Sequence, residues 1–200
     1  MRDFDCTYSE DTTYTYPCEY GVIKGNDKLL LIKTGLGGEI YGYEKKYLKI
    51  ANAVYERFGY TVIVCSNPSG SEMSLHNLMY FVDFINPDFK EIYYMGHSNG
   101  ALIGAWEAYK YPKIKKLLLI NGPLNYNFHK TKEGLEKFTG EKATLIYGTE
   151  DPSFPFFETI DFIENDNVKK IELDGIDHEF IDKLGVFINL PFIYLLNDNE

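Results

Sequence analysis

The sequence predicts an α/β fold in which a mostly parallel central sheet carries helices on both faces. Short apolar runs alternate with helix-like segments from residue 28 onward, the pattern of parallel strands joined by crossover helices. Several runs, such as KLLLIK at 28–33, are continuously apolar, as expected for strands buried on both faces. The chain has 200 residues, of which 44% are hydrophobic, enough for a single domain over 1–200 with a sizeable core.

The predicted strands begin after a less regular N-terminal region. Within 1–27 we expect a weak strand at 13–16, the start of a second strand at 21–24 and a hairpin turn at 25–27. Most of the later strands are short apolar runs bounded by turn residues. These later strands are predicted at 28–33, 60–65, 92–95, 116–120, 143–147 and 168–173.

The predicted helices lie between these strands and repeat apolar residues at helical spacing. The helix at 43–58 shows this pattern and is closed by Gly59, a common residue just after a helix end. Helices are expected at 43–58, 73–85, 101–109, 132–138, 156–164 and 179–196, the last with a break before Pro191.

The charge of the chain excludes some classes of partner. The formal net charge is -10 and no basic run occurs, which argues against binding to nucleic acid or to an anionic membrane. No stretch approaches the roughly 20 apolar residues of a membrane helix. The N-terminus is polar and acidic, unlike a signal peptide, so we expect a cytoplasmic protein.

The three cysteines, Cys6, Cys18 and Cys65, lack the spacing of metal ligands. Reduced thiols in a cytoplasm are the simplest interpretation. A bridge between Cys6 and Cys18 stays open if the protein is exported. Cys65 ends a predicted buried strand and is expected to be a core residue. No Walker-type loop or metal cluster occurs, and we predict neither a metal nor a cofactor.

The stretch 91–108, EIYYMGHSNGALIGAWEA, contains the most informative motif. A strand-like run ends in Gly96-His97-Ser98-Asn99-Gly100, and a helix-like segment follows. This is the G-x-S-x-G pattern of a nucleophile elbow, in which a strained turn lifts the serine hydroxyl clear of the sheet. Small residues on either side let the strand and helix approach closely. Ser98 is the candidate nucleophile, and the alternative is a serine that merely caps the helix.

A serine nucleophile needs a base and a carboxylate that orients the base. Asp151 and His178 are the candidates, because each follows a predicted strand and the carboxyl ends of parallel strands share one edge of the sheet. Glu150 is a rival carboxylate by position. The rival bases are His76, His97 and His129, of which His97 is expected to point away from the partner of Ser98.

The negative oxygen of an acyl-transfer intermediate needs two N–H donors. One donor should be Asn99, the residue after the nucleophile. The other should come from the glycine-rich loop after 28–33, at Leu36 or Gly35. A plain tight turn is the alternative interpretation of that loop.

Six segments of the chain together match the sequence pattern of a known family: KTGLGG, SNPSGSEMS, YMGHSNGALIGAWEAYKYP, LLLINGP, YGTEDPSF and GIDHEF. With them, residues 28–196 resemble a small α/β-hydrolase, and the order Ser98, Asp151, His178 is also that of this family. The resemblance implies a Ser98–His178–Asp151 triad that acts through an acyl-enzyme on an ester, a thioester or a related bond.

Three departures from the family accompany this resemblance. The oxyanion loop begins Lys33-Thr34 and lacks the usual leading histidine, and Ser66-Asn67 stands where the family has an acidic residue. Only about 22 residues, the insert 121–142, join two strands that often carry a helical cap between them. We therefore expect a minimal cap or none, and an open active site.

The predicted function is a serine hydrolase that cleaves an ester or thioester of a small to medium acyl substrate, a small molecule. Four aromatic residues could line an acyl pocket or serve as packing: Tyr126, Phe128, Phe154 and Phe156. A peptidase or an acyltransferase with the same triad is an alternative. A ligand-binding protein of this fold without activity is a different class, and the altered oxyanion loop favours it.

Overall fold

The computed structural model describes residues 1–10, 17–69 and 73–197, and the predicted strand at 13–16 lies outside them. In the described residues, eight strands form one sheet. They are β1 (Cys6–Glu10), β2 (Cys18–Ile23), β3 (Lys28–Lys33), β4 (Thr61–Cys65), β5 (Glu91–His97), β6 (Ile114–Ile120), β7 (Lys142–Gly148) and β8 (Val168–Leu173). Their order across the sheet is β1-β2-β4-β3-β5-β6-β7-β8.

Strands β3 to β8 pair in parallel, whereas β1 and β2 run antiparallel to their neighbours. The predicted α/β class with a mostly parallel sheet is therefore confirmed. The predicted hairpin at 25–27 is wrong, because β2 pairs with β4 and not with β3. The backbone N–H of Asn26 donates to the carbonyl of Gly59 at 2.8 Å. This contact, 33 residues apart in sequence, carries the connection past the start of β4.

Helices cover both faces of the sheet, as the sequence predicts. The α-helices among the described residues are α1 (Lys46–Phe58), α2 (His76–Ile85), α3 (Asn99–Glu107), α4 (Phe128–Lys137) and α5 (Leu184–Tyr194). Short 3₁₀ segments occur at Tyr43–Lys45, Ala108–Lys110 and Phe154–Phe162. None of the described helices is long and apolar enough to cross a lipid bilayer.

The structure moves the starts of the helices predicted at 73–85 and 132–138 to His76 and Phe128, and two other predicted helices differ more. The segment predicted at 156–164 is the 3₁₀ segment Phe154–Phe162, whose buried residues Phe157 and Ile160 are three apart, which suits three residues per turn. The helix predicted from 179 begins only at Leu184. Phe180 has a φ of 60° and packs its buried ring against Phe187, so tertiary packing delays the helix. Pro191 lies inside α5 and does not break it.

The core has two parts, one on each face of the sheet. Leu29 and Leu31 of β3 belong to the part that α2, α3 and α4 cover. Leu30 and Ile32 belong to the part under α1 and α5. Alternate residues of one strand therefore point into opposite cores, which confirms that the continuous apolar run is a strand buried on both faces.

The connection between β6 and β7 contains a single short helix, α4, where capped relatives would have a larger domain. A Cβ placed on Gly134 of α4 would lie 2.1 Å from the carbonyl oxygen of Ala105 in α3, so the two helices are in direct backbone contact. Leu135 is fully buried beneath α4. Because α4 packs against α3 instead of covering the loops at the carboxyl edge, the fold has no lid, as predicted.

All three cysteines are free. The β1–β2 register places Cys6 opposite Val22 and Cys18 opposite Glu10, so the two cysteines lie four positions apart along the ladder. Each position spans about 3.4 Å, far beyond the reach of a disulfide. The register thus excludes the Cys6–Cys18 bridge that the sequence left open.

Candidate active site

Ser98 lies in a sharp turn between β5 and α3. Its φ is 53° and its ψ is -120°, a strained conformation that the surrounding structure must hold in place. A Cβ on Gly100 would lie 2.2 Å from the carbonyl oxygen of Lys33, and one on Gly96 would lie 2.5 Å from the carbonyl oxygen of Gly100. No side chain fits at either position, so both glycines are required for this strand–turn–helix.

The imidazole of His178 lies between the hydroxyl of Ser98 and the carboxylate of Asp151. His178 Nε2 is 2.9 Å from Ser98 Oγ, and His178 Nδ1 is 2.5 Å from Asp151 Oδ2. Because a carboxylate only accepts hydrogen bonds, Nδ1 carries the proton and Nε2 can accept from the serine hydroxyl. The structure therefore brings together, from three separate loops, the three side chains that the sequence singles out.

The carboxylate of Asp151 is held on both of its oxygens. Its side chain is fully buried, and the backbone N–H of Ser153 donates to Oδ1 at 2.6 Å. The rival carboxylate, Glu150, is exposed to solvent. The rival bases His76 and His129 are exposed at the starts of α2 and α4, away from this hydrogen-bonded chain.

The electrostatics of His178 suit a base that must accept a proton. The hydrogen bond to Asp151 raises the pKa of His178 above its ordinary value of 6.5, although burial acts in the opposite direction. Its side chain remains 32% exposed. The imidazolium that would form on proton transfer is thus stabilised by a buried carboxylate on the far side of the ring.

The loop after β3 presents unpaired backbone donors beside Ser98. A Cβ on Gly35 would lie 3.1 Å from Ser98 Cβ, so this loop touches the elbow. The N–H groups of Thr34, Gly37 and Gly38 donate to backbone carbonyls. The N–H groups of Gly35 and Leu36 have no acceptor among the described residues. Asn99, the first residue of α3, has no partner for its N–H within the helix.

The architecture matches solved structures at low sequence identity, whereas neither a protein-family model nor a curated protein matches the sequence. The chain is 16% identical to Est1E from Butyrivibrio proteoclasticus, covering 92% of this chain and 94% of that one, with a TM-score of 0.69. Est1E with bound ferulic acid matches at 17% identity over 86% and 92% of the two chains, with a TM-score of 0.67. XC6422 from Xanthomonas campestris, described as a serine hydrolase without lid, matches at 15% identity over 98% of each chain, with a TM-score of 0.69. The chain has the α/β-hydrolase fold.

This α/β-hydrolase fold holds the His178 loop by two buried polar side chains that sequence reasoning missed or misjudged. Asn121, directly after β6, donates from Nδ2 to the carbonyls of Asp177 and His178 at 3.1 and 3.2 Å. Its Oδ1 accepts from the N–H of Gly148 at 3.0 Å. Asn121 therefore ties the end of β7 to the loop after β8. The sequence contains a signal that could have identified Asn121. It is a polar residue directly after a buried strand, and Asp151 likewise lies shortly after the end of a buried strand.

His97 is the second of these side chains. Its Nε2 lies 2.9 Å from the carbonyl oxygen of His178, so Nε2 must carry a proton to donate. Burial, with a smaller effect from the charge of Lys46, lowers the pKa of His97 to about 3. The ring is therefore neutral near pH 7. The expectation that His97 points away from the base is wrong, because it supports the backbone of His178.

Asn67 connects the loop after β3 to the elbow in this α/β-hydrolase fold. Its Nδ2 donates to Asn99 Oδ1 at 2.8 Å and to the carbonyl of Thr34 at 3.2 Å. Its backbone exchanges hydrogen bonds with Gly37 and Gly38. At the position where the family has an acidic residue, the chain thus has an amide that orders both sides of the candidate oxyanion hole.

The four aromatic candidates for substrate binding divide into two pairs. Phe128 and Phe154 pack against the core on the α3 face, and Phe154 also stacks on Phe157 with ring centroids 5.3 Å apart. Tyr126 and Phe156 are 68% and 39% exposed. Packing therefore accounts for the first pair, and the exposed pair has surface available for a ligand.

Within the part of the chain that the structure describes, no three histidine, cysteine or carboxylate side chains lie close enough together to hold a metal ion.

Proposed function

We propose that the protein is a serine esterase that cleaves small to medium carboxylic esters or thioesters through an acyl-enzyme. The observation that carries the proposal is the unbroken chain of contacts from Ser98 Oγ through His178 to Asp151 at a strained elbow in an α/β-hydrolase fold. The esterase names of structurally similar proteins support it. The side chains alone can perform acyl transfer.

In the proposed mechanism, Ser98 Oγ attacks the carbonyl carbon of the ester while His178 Nε2 takes the hydroxyl proton. The negative oxygen of the tetrahedral intermediate accepts hydrogen bonds from the N–H of Asn99 and from that of Leu36 or Gly35. His178 then gives the proton to the leaving alcohol or thiol. Water, activated by the same imidazole, hydrolyses the acyl-enzyme and releases the acid.

The lid-free fold supports water as the acyl acceptor, and hence a hydrolase over an acyltransferase or a peptidase. Tyr126 and Phe156 are our candidates for contacts with the acyl group. Because Est1E was solved with ferulic acid, we propose to include aromatic acyl groups among the substrates.

The test is a panel of p-nitrophenyl esters and acyl-CoAs of graded chain length, together with methyl ferulate, and labelling by a fluorophosphonate probe. We expect hydrolysis of at least one ester and a probe adduct on Ser98. Ser98→Ala should abolish both, and His178→Ala should lower kcat by several powers of ten. Ser9→Ala, on the exposed edge strand, is the matched control and should behave as the wild type.

An inert panel and an unlabelled Ser98 in the folded wild type would reject the esterase. Saturable binding of a carboxylic acid in that case would identify the protein as a ligand-binding relative that has the fold without the reaction.

A further inference from the structure

A buried lysine contacts the loop that carries His178. Lys46 is the first residue of α1, and its side chain is only 3% exposed. Its Nζ lies 3.6 Å from Oε2 of Glu179, the residue directly after His178, and the side chain of Glu179 is 58% exposed. The proposed mechanism leaves Lys46 without a role, although its charge lies beside the loop of the base.

The ring of Phe187 connects this ammonium to the support of the base. Phe187, in α5, is fully buried, and the centroid of its ring is 4.6 Å from Lys46 Nζ. The same centroid lies 5.3 Å from that of the His97 ring and 5.1 Å from that of the Phe180 ring. His97 in turn contacts the carbonyl of His178 at 2.9 Å. Lys46 is therefore packed, through one shared ring, with residues that flank and support the base.

The two segments that the Lys46–Glu179 contact joins are both strained. Glu44 and Lys45, directly before Lys46, have φ values of 47° and 59°, and in the base loop Phe180 has a φ of 60°. Such values are unfavourable for residues other than glycine and persist only where surrounding contacts hold them. The contacts of Lys46 are among those that hold both segments in place.

Stability alone does not explain a lysine at this position. Burial lowers the pKa of Lys46, whereas the carboxylates of Glu179 and Asp177 raise it. Taking an ammonium out of water is costly, and an ion pair with a largely solvated partner returns little. The face of the Phe187 ring offsets part of this cost. Because an apolar side chain of similar length would fill the same space without the cost, the charge points to a function.

The charges of Lys46 and Glu179 act on His178 in opposite directions. The hydrogen bond to Asp151 is the main reason that the pKa of His178 is raised, and burial opposes it. Beyond these effects, Glu179 raises the pKa of His178 and Lys46 lowers it. The ammonium also adds to the burial that keeps His97 neutral. The titratable groups that interact with the ammonium are His97, Asp177, His178 and Glu179.

We propose that Lys46 is a positioning residue for the catalytic base, an inference that rests on the proposed esterase function. Its ammonium holds Glu179 and the ring of Phe187. These contacts keep the imidazole of His178 between the nucleophile and the buried carboxylate. The ammonium also limits the basicity of that imidazole, so the base stays neutral, and therefore active, down to a lower pH than it otherwise would.

The test compares Lys46→Met, which removes the charge and keeps most of the volume, with Lys49→Met on the same helix. Lys49 is 37% exposed and lies 3.8 Å from the carboxylate of Glu44, so it is the matched surface control. In Lys46→Met we expect kcat for ester hydrolysis to fall by about tenfold or more and KM to stay within about twofold, because a displaced base loses productive geometry and not substrate binding. Its Tm should equal or exceed that of the wild type. Lys49→Met should match the wild type in all three quantities.

The pH dependence separates positioning of the base from a general loss of structure. The ring of His178 is titrated by NMR, which requires no turnover, and the acid limb of kcat/KM is measured in parallel. Both midpoints should move to higher pH in Lys46→Met and to lower pH in Glu179→Gln. The reason is that His178 loses a positive neighbour in the first variant and a negative neighbour in the second. A disturbance of packing would not move the two variants in opposite directions.

Three results would overturn the proposal: a wild-type kcat in Lys46→Met, midpoints that do not move in opposite directions, or a Lys46→Met that fails to fold or has a Tm well below that of the wild type. The last result would assign Lys46 to stability. A wild type that hydrolyses no ester would reject the proposed esterase, whereas the NMR midpoints would still show whether Lys46 and Glu179 act on His178. Hydrolysis by the wild type with unmoved midpoints would reject the inference on Lys46 alone.

Discussion

The pKa values of two neighbouring histidines, His178 and His97, shift in opposite directions. His178 contacts a buried carboxylate, which raises its pKa. His97, 2 % exposed, lies against a backbone carbonyl and not a carboxylate, and burial lowers its pKa to about 3. The same side chain is therefore equipped to accept a proton at one position and to remain a permanent neutral donor at the other. The difference arises from the partner of each ring and not from the residue type.

The Asp151–His178 contact determines the pH dependence that we predict for catalysis. The base works when neutral, so kcat/KM of the wild type should fall as the pH drops through the raised pKa of His178. Asp151→Asn removes the charge that raises this pKa, so the acid limb of the profile should move to lower pH. It should also reduce kcat by about 10⁴-fold, because the amide does not hold the productive tautomer. Ester hydrolysis measured from pH 5 to pH 9 tests both effects.

The Asp151–His178 contact should also stabilise the folded protein. This stabilisation should be larger at low pH, where the activity is expected to be lower. A folded-state pKa above the unfolded value gives a stabilisation that is fully present below about pH 6.5 and is lost as the pH rises through the folded pKa. The difference in urea unfolding free energy between wild type and Asp151→Asn should therefore be larger at pH 5.5 than at pH 8.5. Equal differences at the two pH values would contradict the ion-pair description of this contact.

The candidate site is assembled where elements end, and each loop there is tied to another by a side-chain amide. Asn121 joins the ends of β6 and β7 to the His178 loop. Asn67 joins the end of β4 to the oxyanion loop and to the elbow. Because an amide has both a donor and an acceptor, each of these residues can satisfy backbone groups from two loops at once.

Asn121 gives a prediction at this scale, because its φ of 49° lets backbone strain be separated from hydrogen bonding. Asn121→Gly removes the amide and suits the backbone, whereas Asn121→Ala removes the amide and adds about 1–2 kcal/mol of strain. Both should lower kcat by roughly 10²-fold with little change in KM, since a misplaced base loses productive geometry. The alanine variant should have the lower Tm. Full kcat in the glycine variant would show that Asn121 does not position His178.

At the scale of the whole molecule, the decisive feature is that the connection between β6 and β7 forms no lid over the candidate site. The connection between β6 and β7 contains only α4, which packs on α3, so this connection does not close over Ser98. An open carboxyl edge lets water and substrates of varied shape approach the nucleophile, in keeping with a hydrolase.

The open edge predicts ordinary solution kinetics. For a sparingly soluble ester, the rate of hydrolysis should depend on substrate concentration along a single hyperbola that continues through the solubility limit. The reason is that no lid has to open at an interface. A lid-bearing lipase assayed beside it provides the positive control for interfacial activation. A sharp rise in rate when substrate droplets or micelles form would contradict the open site.

Much of this architecture was predictable, since the strongest signals are local. The apolar runs of β3 to β7 predict strands buried on both faces, and the two glycines of the elbow predict a turn that no side chain can enter. The hairpin at 25–27 and the helix at 156–164 were wrong, because distant contacts, Asn26 with Gly59 in the first case and the packing of Phe157 in the second, decide these segments.

The sequence by itself determined the alternation of strands and helices, the strained turn at Ser98 and the loops from which its partners could come. Only the tertiary structure decided that Asp151 and not Glu150 reaches His178, that His97 supports a backbone carbonyl, and that Cys18 lies beside Cys65. Local patterns depend on neighbours a few residues away. Contacts between residues tens of positions apart depend on strand order and register, which no single segment encodes.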